Sequence, residues 1–287
     1  MIKNLICSLL NNLLQESNTF YQDYIWVIVF LIIALLAYLN NRIYTQSGTY
    51  PLLFEALRLR PIEPQYKKTL SRYFDYYKKL PLSKQRKFEK RVQKFIDEKE
   101  FIARQMDEVT SEMKVLISAS AIQLTFGLPP VFLVHFKRIL VYPDTYFSTI
   151  NQQYHKGEVN PNGQLIVLSW KNFLEGYIYP HDSHNLGLHE MAHALLLENR
   201  IRNHETNFLS RWSLKKFFSL AELEIQQMNK SDKHPLFRGY GAANRHEFFA
   251  VAIETFFENP SKFRLERPKL YRALANILRQ DPCKLYC

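Results

Sequence analysis

The sequence predicts an α+β protein in which helices predominate, behind a single amino-terminal transmembrane helix. Three observations support this prediction: an uncharged apolar run at 24–41, apolar residues at helical spacing in both halves of the remaining chain, and short segments rich in Val, Ile and Leu between them. A hydrophobic content of 47% with 23% charged residues over 287 positions excludes a disordered, collagen-like or low-complexity chain.

The run at 24–41 is the predicted transmembrane helix. At about 1.5 Å per residue it would be about 27 Å long, close to the roughly 30 Å of a bilayer core. Tyr24 and Trp26 at one end, and Tyr38 and Arg42 at the other, would anchor it at the two interfaces. A buried core helix and a cleaved signal peptide are the alternatives. Both are disfavoured, because apolar residues occupy every side of the helix and no small-residue cleavage site follows it.

The rest of the chain divides by composition into three parts. Residues 1–23 have the spacing of an amphipathic helix, which would lie on the outer leaflet or pack loosely against the span. Residues 42–66 contain three prolines and no clear period, as expected of a linker, and 67–287 form the main domain. Arginines after the span outnumber Lys3 before it, so the positive-inside rule places the main domain on the cytoplasmic side.

The main domain begins with two predicted helices that Pro81 separates, the second of them capped by Ser83. A further helix is predicted from Glu112 to Thr125, and helices return from Ser183 onward. Between them, segments rich in Val, Ile, Leu and Phe and bounded by Pro, Asn or Gly predict strands at 131–136, 138–142 and 164–169.

Charge and cysteine content indicate the surroundings. The net charge of +11 favours an anionic neighbour such as lipid headgroups, nucleic acid or acidic protein. The basic face of the first two helices is either an ordinary solvated surface or a contact with anionic lipid, and no nucleic-acid-binding module is recognisable. Cys7, Cys283 and Cys287 are too few for a disulfide framework, which indicates a reducing compartment. Two free thiols are therefore favoured over a bond between Cys283 and Cys287.

Residues 189–193 read His-Glu-Met-Ala-His, the pattern H-E-x-x-H, in a segment rich in helix formers. Residues four apart share a helix face, so His189 and His193 would converge on one zinc ion while Glu190 reaches a water beside it. The spacing predicts one catalytic Zn²⁺ with Glu190 as the general base. A helix with two surface histidines is the alternative interpretation.

A catalytic zinc site needs a third protein ligand, and the best candidates follow the glycines at 239 and 241. The helix predicted there carries carboxylates among aromatic and aliphatic residues, where burial is costly unless a metal or cation compensates. Glu247, in the first turn, is the predicted ligand. Glu254, two turns further along, would support a ligand or face solvent, and His246 points about 100° away from Glu247.

These motifs resemble the Mlc titration factor A family of bacterial zinc peptidases. The stretch from Tyr240 to Ala250 is also similar to the corresponding helix of the anthrax lethal factor catalytic domain. The resemblance implies a zincin-like metallopeptidase domain of the gluzincin type, with His189, His193 and Glu247 as zinc ligands, Glu190 as general base and Tyr240 assisting at the oxyanion. It extends from about Leu80 to Pro260 and includes Leu80-Pro81-Leu82-Ser83, the segment 95–101, Val141-Tyr142-Pro143, Gly157-Glu158 and Val167-Leu168-Ser169-Trp170.

The chain departs from the family pattern H-E-F-A-H-x-L-D, because Met191 replaces the Phe and Leu196 replaces the Asp. If that Asp orients a ligand, Glu198 and Asp182 are candidates to replace it.

The resemblance implies aminopeptidase-like hydrolysis of a peptide or protein substrate and binding of a transcriptional repressor of sugar uptake. The principal hypothesis is a zinc peptidase anchored in the bacterial inner membrane with its catalytic domain in the cytoplasm. The alternative is a catalytically weak regulatory protein that holds a partner, such as a transcriptional regulator, at the membrane.

Overall fold

The chain divides into two units, Met1–Ser47 and Gly48–Cys287. In the first unit, the described residues form one helix, α1, over 24–38, and its side chains are almost all exposed. The computed structural model describes residues 24–38, 59–148, 152–179, 182–201, 208–230 and 236–286.

The prediction of a transmembrane helix over 24–41 is wrong. Among the described residues, no helix combines the length and the hydropathy needed to cross a bilayer. The single-pass localisation in the inner membrane and the cytoplasmic orientation were predicted from that helix, so these two predictions are withdrawn as well. The amphipathic segment predicted at 1–23 lies outside the described residues.

The second unit confirms the α+β prediction with helices predominating. Its helices are α2 (Pro64–Tyr73), α3 (Asp75–Lys78), α4 (Leu82–Glu98), α5 (Ser111–Thr125), α6 (Trp170–Ile178), α7 (Leu186–Ile201), α8 (Arg211–Met228), α9 (Arg245–Glu258), α10 (Pro260–Glu266), α11 (Pro268–Leu278) and α12 (Cys283–Tyr286). Helix α2 begins inside the predicted linker 42–66. Helix α4 begins one residue before the predicted cap Ser83, with Pro81 in the cap position.

A four-stranded sheet lies beside the helices. Its strands are β1 (Glu100–Ala103), β2 (Arg138–Tyr142), β5 (Gly157–Asn160) and β6 (Leu165–Ser169), in the order β1-β2-β6-β5. Strands β1, β2 and β6 are parallel, and β5 pairs antiparallel with β6 at the edge. Strands β3 (Tyr146–Ser148) and β4 (Gln153–His155) form a separate hairpin that leads through Lys156 directly into β5.

The strand predicted at 131–136 is wrong, because this segment is a loop. Leu133 has a positive φ of 49°, and its carbonyl accepts hydrogen bonds from the Lys99 ammonium and from the Phe136 N–H. The His135 N–H donates to the Glu198 carboxylate at 2.9 Å. The backbone polar groups of the segment are therefore satisfied locally and by side chains, without a sheet partner.

Two helices run through the middle of the core. Helix α5 has a side-chain cap, since Thr110 accepts from the Met113 N–H, and most of its residues are buried. Helix α7 packs against α5, α6 and α9 and against strands β5 and β6. Apolar residues therefore occupy nearly every side of both helices, as expected of helices surrounded by protein.

Candidate metal centre

Helix α7 carries the H-E-x-x-H residues and begins at a buried cap. The Asn185 side-chain oxygen accepts from the Leu188 N–H, and its carbonyl accepts from the His189 N–H, both at 2.9 Å. One turn separates His189 from His193, so both imidazoles leave the same face of the helix. Their Nε2 atoms lie 3.1 Å apart.

Helix α9 brings Glu247 to the same place. A 3-10 turn over Gly239–Ala242 precedes the helix, and Asn244 caps it by accepting from the N–H groups of His246 and Glu247 at 2.9 and 3.0 Å. Glu247 therefore lies in the first helical turn. Its Oε2 is 3.2 Å from His189 Nε2 and 3.4 Å from His193 Nε2.

The three donor atoms have the spacing that a tetrahedral ion requires. Ligands about 2.05 Å from a tetrahedral zinc lie roughly 3.3 Å from one another, and the observed separations are 3.1, 3.2 and 3.4 Å. Glu247 Oε2 is buried and makes no hydrogen bond within the described part of the chain. In the same part, His189, His193 and Glu247 form the one group of three or more such residues close enough to hold a metal ion. The residues fit a metal.

The alternative donors are placed elsewhere. His246 turns its ring towards Phe218, with the ring centroids 6.3 Å apart, and it is outside the three-residue group. Glu254 lies behind His189, on the side of the ring opposite the other two ligands, where its Oε1 is 2.8 Å from His189 Nδ1.

The carboxylates make this position attractive for positive charge. Burial lowers the pKa of His189, but its contact with the Glu247 carboxylate and its hydrogen bond to Glu254 outweigh burial and raise the pKa to about 10. Burial raises the pKa of Glu247, yet its contacts with His189 and His193 prevail and hold the pKa well below its ordinary value. Glu247 is therefore ionised and ready to act as a ligand.

Glu254 is the residue that orients His189, and it is 1% exposed. Its Oε2 accepts from the Asn185 N–H at 2.6 Å, and its Oε1 accepts from Arg238 as well as contacting His189 Nδ1. A carboxylate at Nδ1 fixes the ring so that Nε2 presents its lone pair to a metal.

The sequence suggested Glu198 and Asp182 as carboxylates that could orient a zinc ligand. Both make other contacts. Glu198 holds the His135 backbone, and Asp182 accepts from the His184 N–H. Within the described chain, Glu254 is the carboxylate at His189 Nδ1. The sequence signal for Glu254 is its position two turns after Glu247, among residues that are otherwise apolar.

Glu190 lies beside the ligands, 6% exposed, next to the edge strand. A Cβ atom on Gly157 would lie 2.5 Å from Glu190 Oε1, so only glycine allows β5 this close. Burial raises the pKa of Glu190, and the nearby histidines oppose that rise. A raised pKa suits a carboxylate that must take up a proton near neutral pH.

Tyr240 lies over the site on the 3-10 turn and is 59% exposed. Its ring centroid is 6.3 Å from that of His189. Burial, together with the charges of Glu247 and Glu190, raises the pKa of Tyr240, so its hydroxyl keeps its proton and can donate.

A cleft runs along α7 on both sides of the three ligands. One end, a cavity of about 580 Å³ that we call the Arg238 cavity, is lined by Tyr154, Lys156, Asn185, Leu186 and Arg238 among others. The other end, a cavity of about 440 Å³ that we call the Arg200 cavity, is lined by Val159, His193, Leu196, Leu197 and Arg200 among others. Five residues line both cavities: His155, Gly157, His189, Glu190 and Tyr240. A long substrate can therefore pass across the metal position.

Fold and site together are those of a metallopeptidase-type domain. A model of the family described as glucose-regulated metallo-peptidase M90 matches residues 53–279, so the chain belongs to this family. A protein of Synechocystis sp. named slr2042 is 27% identical over 237 residues, which cover 78% of this chain and 86% of that protein. Mlc titration factor A of Salmonella agona is 24% identical over 213 residues, 67% of this chain and 77% of that protein. The family resemblance predicted from the sequence is confirmed.

Proposed function

We propose that the protein is a zinc-dependent peptidase in which His189, His193 and Glu247 bind the metal. The observation that carries this proposal is the spacing of the three donor atoms, 3.1–3.4 Å, around a buried carboxylate oxygen that has no hydrogen bond within the described chain. Two histidines and one carboxylate leave a fourth position open for water or substrate, as catalytic zinc sites do. Membership of a metallopeptidase family supports the same conclusion.

The residues around the ligands divide the chemistry between them. Zinc, when bound, would lower the pKa of a water towards 7 and polarise the scissile carbonyl. Glu190 takes the proton of the attacking water and passes it to the leaving amine. Tyr240 donates its hydroxyl to the oxygen that becomes negative, a contact worth roughly 3 kcal/mol in comparable transition states. Glu254 keeps His189 in the orientation that binding requires.

The test of catalysis is Glu190→Gln. Peptide hydrolysis should be lost, because an amide cannot accept the proton, while zinc remains near one per chain. Glu222→Gln, an exposed position on α8, is the matched control and should leave both quantities unchanged. Full activity of the Glu190 variant would refute its role as general base.

The ligand assignment is tested by metal analysis of two variants. Glu247→Ala should abolish zinc binding. Glu254→Ala should still bind one zinc, about 10–100-fold more weakly, because it removes support for a ligand and not the ligand itself. Zinc lost from the Glu254 variant but kept by the Glu247 variant would reverse the assignment. Tyr240→Phe should retain zinc and reduce turnover at least about tenfold.

A second candidate function is the binding of a regulatory protein, and the name of the relative Mlc titration factor A favours it. The Glu190→Gln variant separates the two functions. If that variant restores a deletion strain as well as the wild type does, binding is the physiological role. If it fails although present at the normal level, catalysis is required.

A further inference from the structure

We propose that Arg238 binds the carbonyl oxygen of the first residue after the scissile bond. This inference rests on the proposed peptidase function and adds a substrate contact to it. Arg238 lies two residues before Tyr240, and its side chain lines the Arg238 cavity beside Glu254 and His189. The cavity therefore holds a fixed cation next to the metal position.

The direction in which a peptide crosses the site follows from the edge strand. Strand β5 pairs with β6 on one side, and its other edge has no partner strand within the described chain. An extended peptide can add to such an edge through main-chain hydrogen bonds, and antiparallel pairing is the more stable arrangement. A substrate strand is therefore expected to run opposite to β5.

The chain passes from the Arg238 cavity, which Tyr154 and Lys156 line, to the Arg200 cavity, which Val159 lines. A peptide running the other way begins in the Arg200 cavity, crosses the metal position and continues into the Arg238 cavity. The residues that follow the scissile bond thus lie beside Arg238. We therefore expect the carbonyl of the first residue after the scissile bond to face Arg238 in the cavity wall.

The guanidinium of Arg238 has donors to spare for that carbonyl. Within the described chain, Nη2 is the one nitrogen of Arg238 with a hydrogen-bond partner, Glu254; Nε is buried, so Nη1 carries the donors that remain for a substrate. The side chain is 25% exposed, so part of it faces the cavity. Because Glu254 binds one end of the planar guanidinium group of Arg238, the remaining N–H groups are fixed in direction before a substrate arrives.

The competing explanation is that Arg238 only compensates the buried charge of Glu254. Removing the arginine would then weaken the metal site and affect every substrate alike. A substrate contact, by contrast, distinguishes compounds that carry the carbonyl from compounds that lack it. This difference is what the experiment measures.

The experiment compares two probes on the zinc-loaded protein. The first is alanyl-alanine amide in which a CH₂–NH group replaces the scissile amide, and the second is the same compound shortened to end in an ethylamine, without the following carbonyl. Dissociation constants are measured by calorimetry for wild type, Arg238→Met and Arg238→Lys. We expect Arg238→Met to weaken the first probe about tenfold and to leave the second within twofold. Arg238→Lys keeps a charge for Glu254 and should lose part of the same discrimination.

Arg267→Met is the matched control, because Arg267 also donates to a mostly buried carboxylate, that of Glu224, but lies outside both cavities. It should affect neither probe. Kinetics give a second readout: Arg238→Met should raise KM for peptides by a larger factor than KM for amino-acid 4-nitroanilides, whose leaving group has no such carbonyl.

An equal loss for both probes, or no loss for either, would overturn the assignment of Arg238. Wild type that discriminates the probes through Arg238 but cleaves no peptide would refute the proposed function while the contact stands. Wild type that binds neither probe contradicts both.

Discussion

The two helices that carry the proposed metal ligands both begin at an asparagine cap, but the caps have different surroundings. Asn185, before α7, is 2% exposed, and besides its cap contacts it donates its N–H to Glu254 at 2.6 Å. Its side-chain amide donates to the Gly176 carbonyl and to Glu258, both at 3.1 Å. Asn244, before α9, is exposed, and the hydrogen bonds of its side chain go to its own helix.

The difference shows how the distance between the ligands is set. Glu254 and Glu258, one turn apart on α9, hold the start of α7 through Asn185. One helix thus supplies Glu247 as a ligand and fixes the helix that supplies the two histidines. The first turn of α9 depends on a local cap, whereas the start of α7 depends on tertiary contacts.

The largest effect should come from Asn185→Ala. The variant removes a helix cap, worth about 1 kcal/mol, leaves the Gly176 carbonyl without its side-chain donor, at about 1–3 kcal/mol, and takes one hydrogen bond, worth about 1 kcal/mol, from the Glu258 carboxyl. We expect a loss of about 3–5 kcal/mol in the free energy of unfolding, measured by urea denaturation. Zinc affinity should fall at least about tenfold, because the start of α7, which positions His189, loses its side-chain contacts with Gly176 and Glu258. A loss below about 1 kcal/mol would mean that Asn185 is no more than a local cap.

The next effect depends on pH and tests the ionisation of Glu258, the buried carboxyl that accepts a hydrogen bond from Asn185. Burial raises the pKa of Glu258 from 4.5 to about 8, although its hydrogen bond to Asn185 opposes the rise. Between about pH 5 and pH 8 the unfolded chain has released this proton while the folded protein keeps it. The folded state therefore loses stability as pH rises through that window, and the loss is complete above the folded pKa.

Glu258→Gln removes the titration but keeps an acceptor for Asn185. The variant should become more stable than wild type as the pH rises from 5 to 8, by on the order of 4 kcal/mol at the upper end, since the pKa is raised from 4.5 to about 8 and each pKa unit corresponds to about 1.4 kcal/mol. Thermal unfolding across a pH series measures the difference. Asn244→Ala, which changes no ionisable group, provides the reference series. A difference that stays constant with pH would contradict the raised pKa.

The two caps also show what the sequence can and cannot predict at the site. His189, Glu190 and His193 are recognisable because their spacing is local, and Glu247 because an acid follows a turn and begins an apolar helix. The structure brings these side chains together. The roles of Asn185, Arg238 and Glu254 depend on contacts 16 to 69 residues apart in the sequence, which no local pattern contains.

The fold shows the same division. The strand at 138–142 was predicted with its observed bounds, since a run of Ile, Leu and Val between turns is a local signal. Strand β1 was missed because four residues beginning with Glu100 have too little pattern, and it exists through pairing with β2. The loop at 131–136 was predicted as a strand because composition reports hydrophobicity, but not which groups satisfy the backbone.

The smallest effect should come from Asn244→Ala, the counterpart of the Asn185 variant. Its side chain is exposed, so water can take over the N–H groups of His246 and Glu247 when the cap is lost. We expect a loss of about 1 kcal/mol in the free energy of unfolding, the usual cost of removing a cap. Because Glu247 lies in the turn that frays, zinc affinity should fall by a few-fold, and Asn244→Asp, which restores an acceptor, should recover most of both losses. Urea denaturation and a competitive zinc titration measure the two quantities on the same preparations. A loss equal to that of Asn185→Ala would show that the two caps contribute equally to the free energy of unfolding. The contacts of Asn185 with α9 would then contribute no further stability.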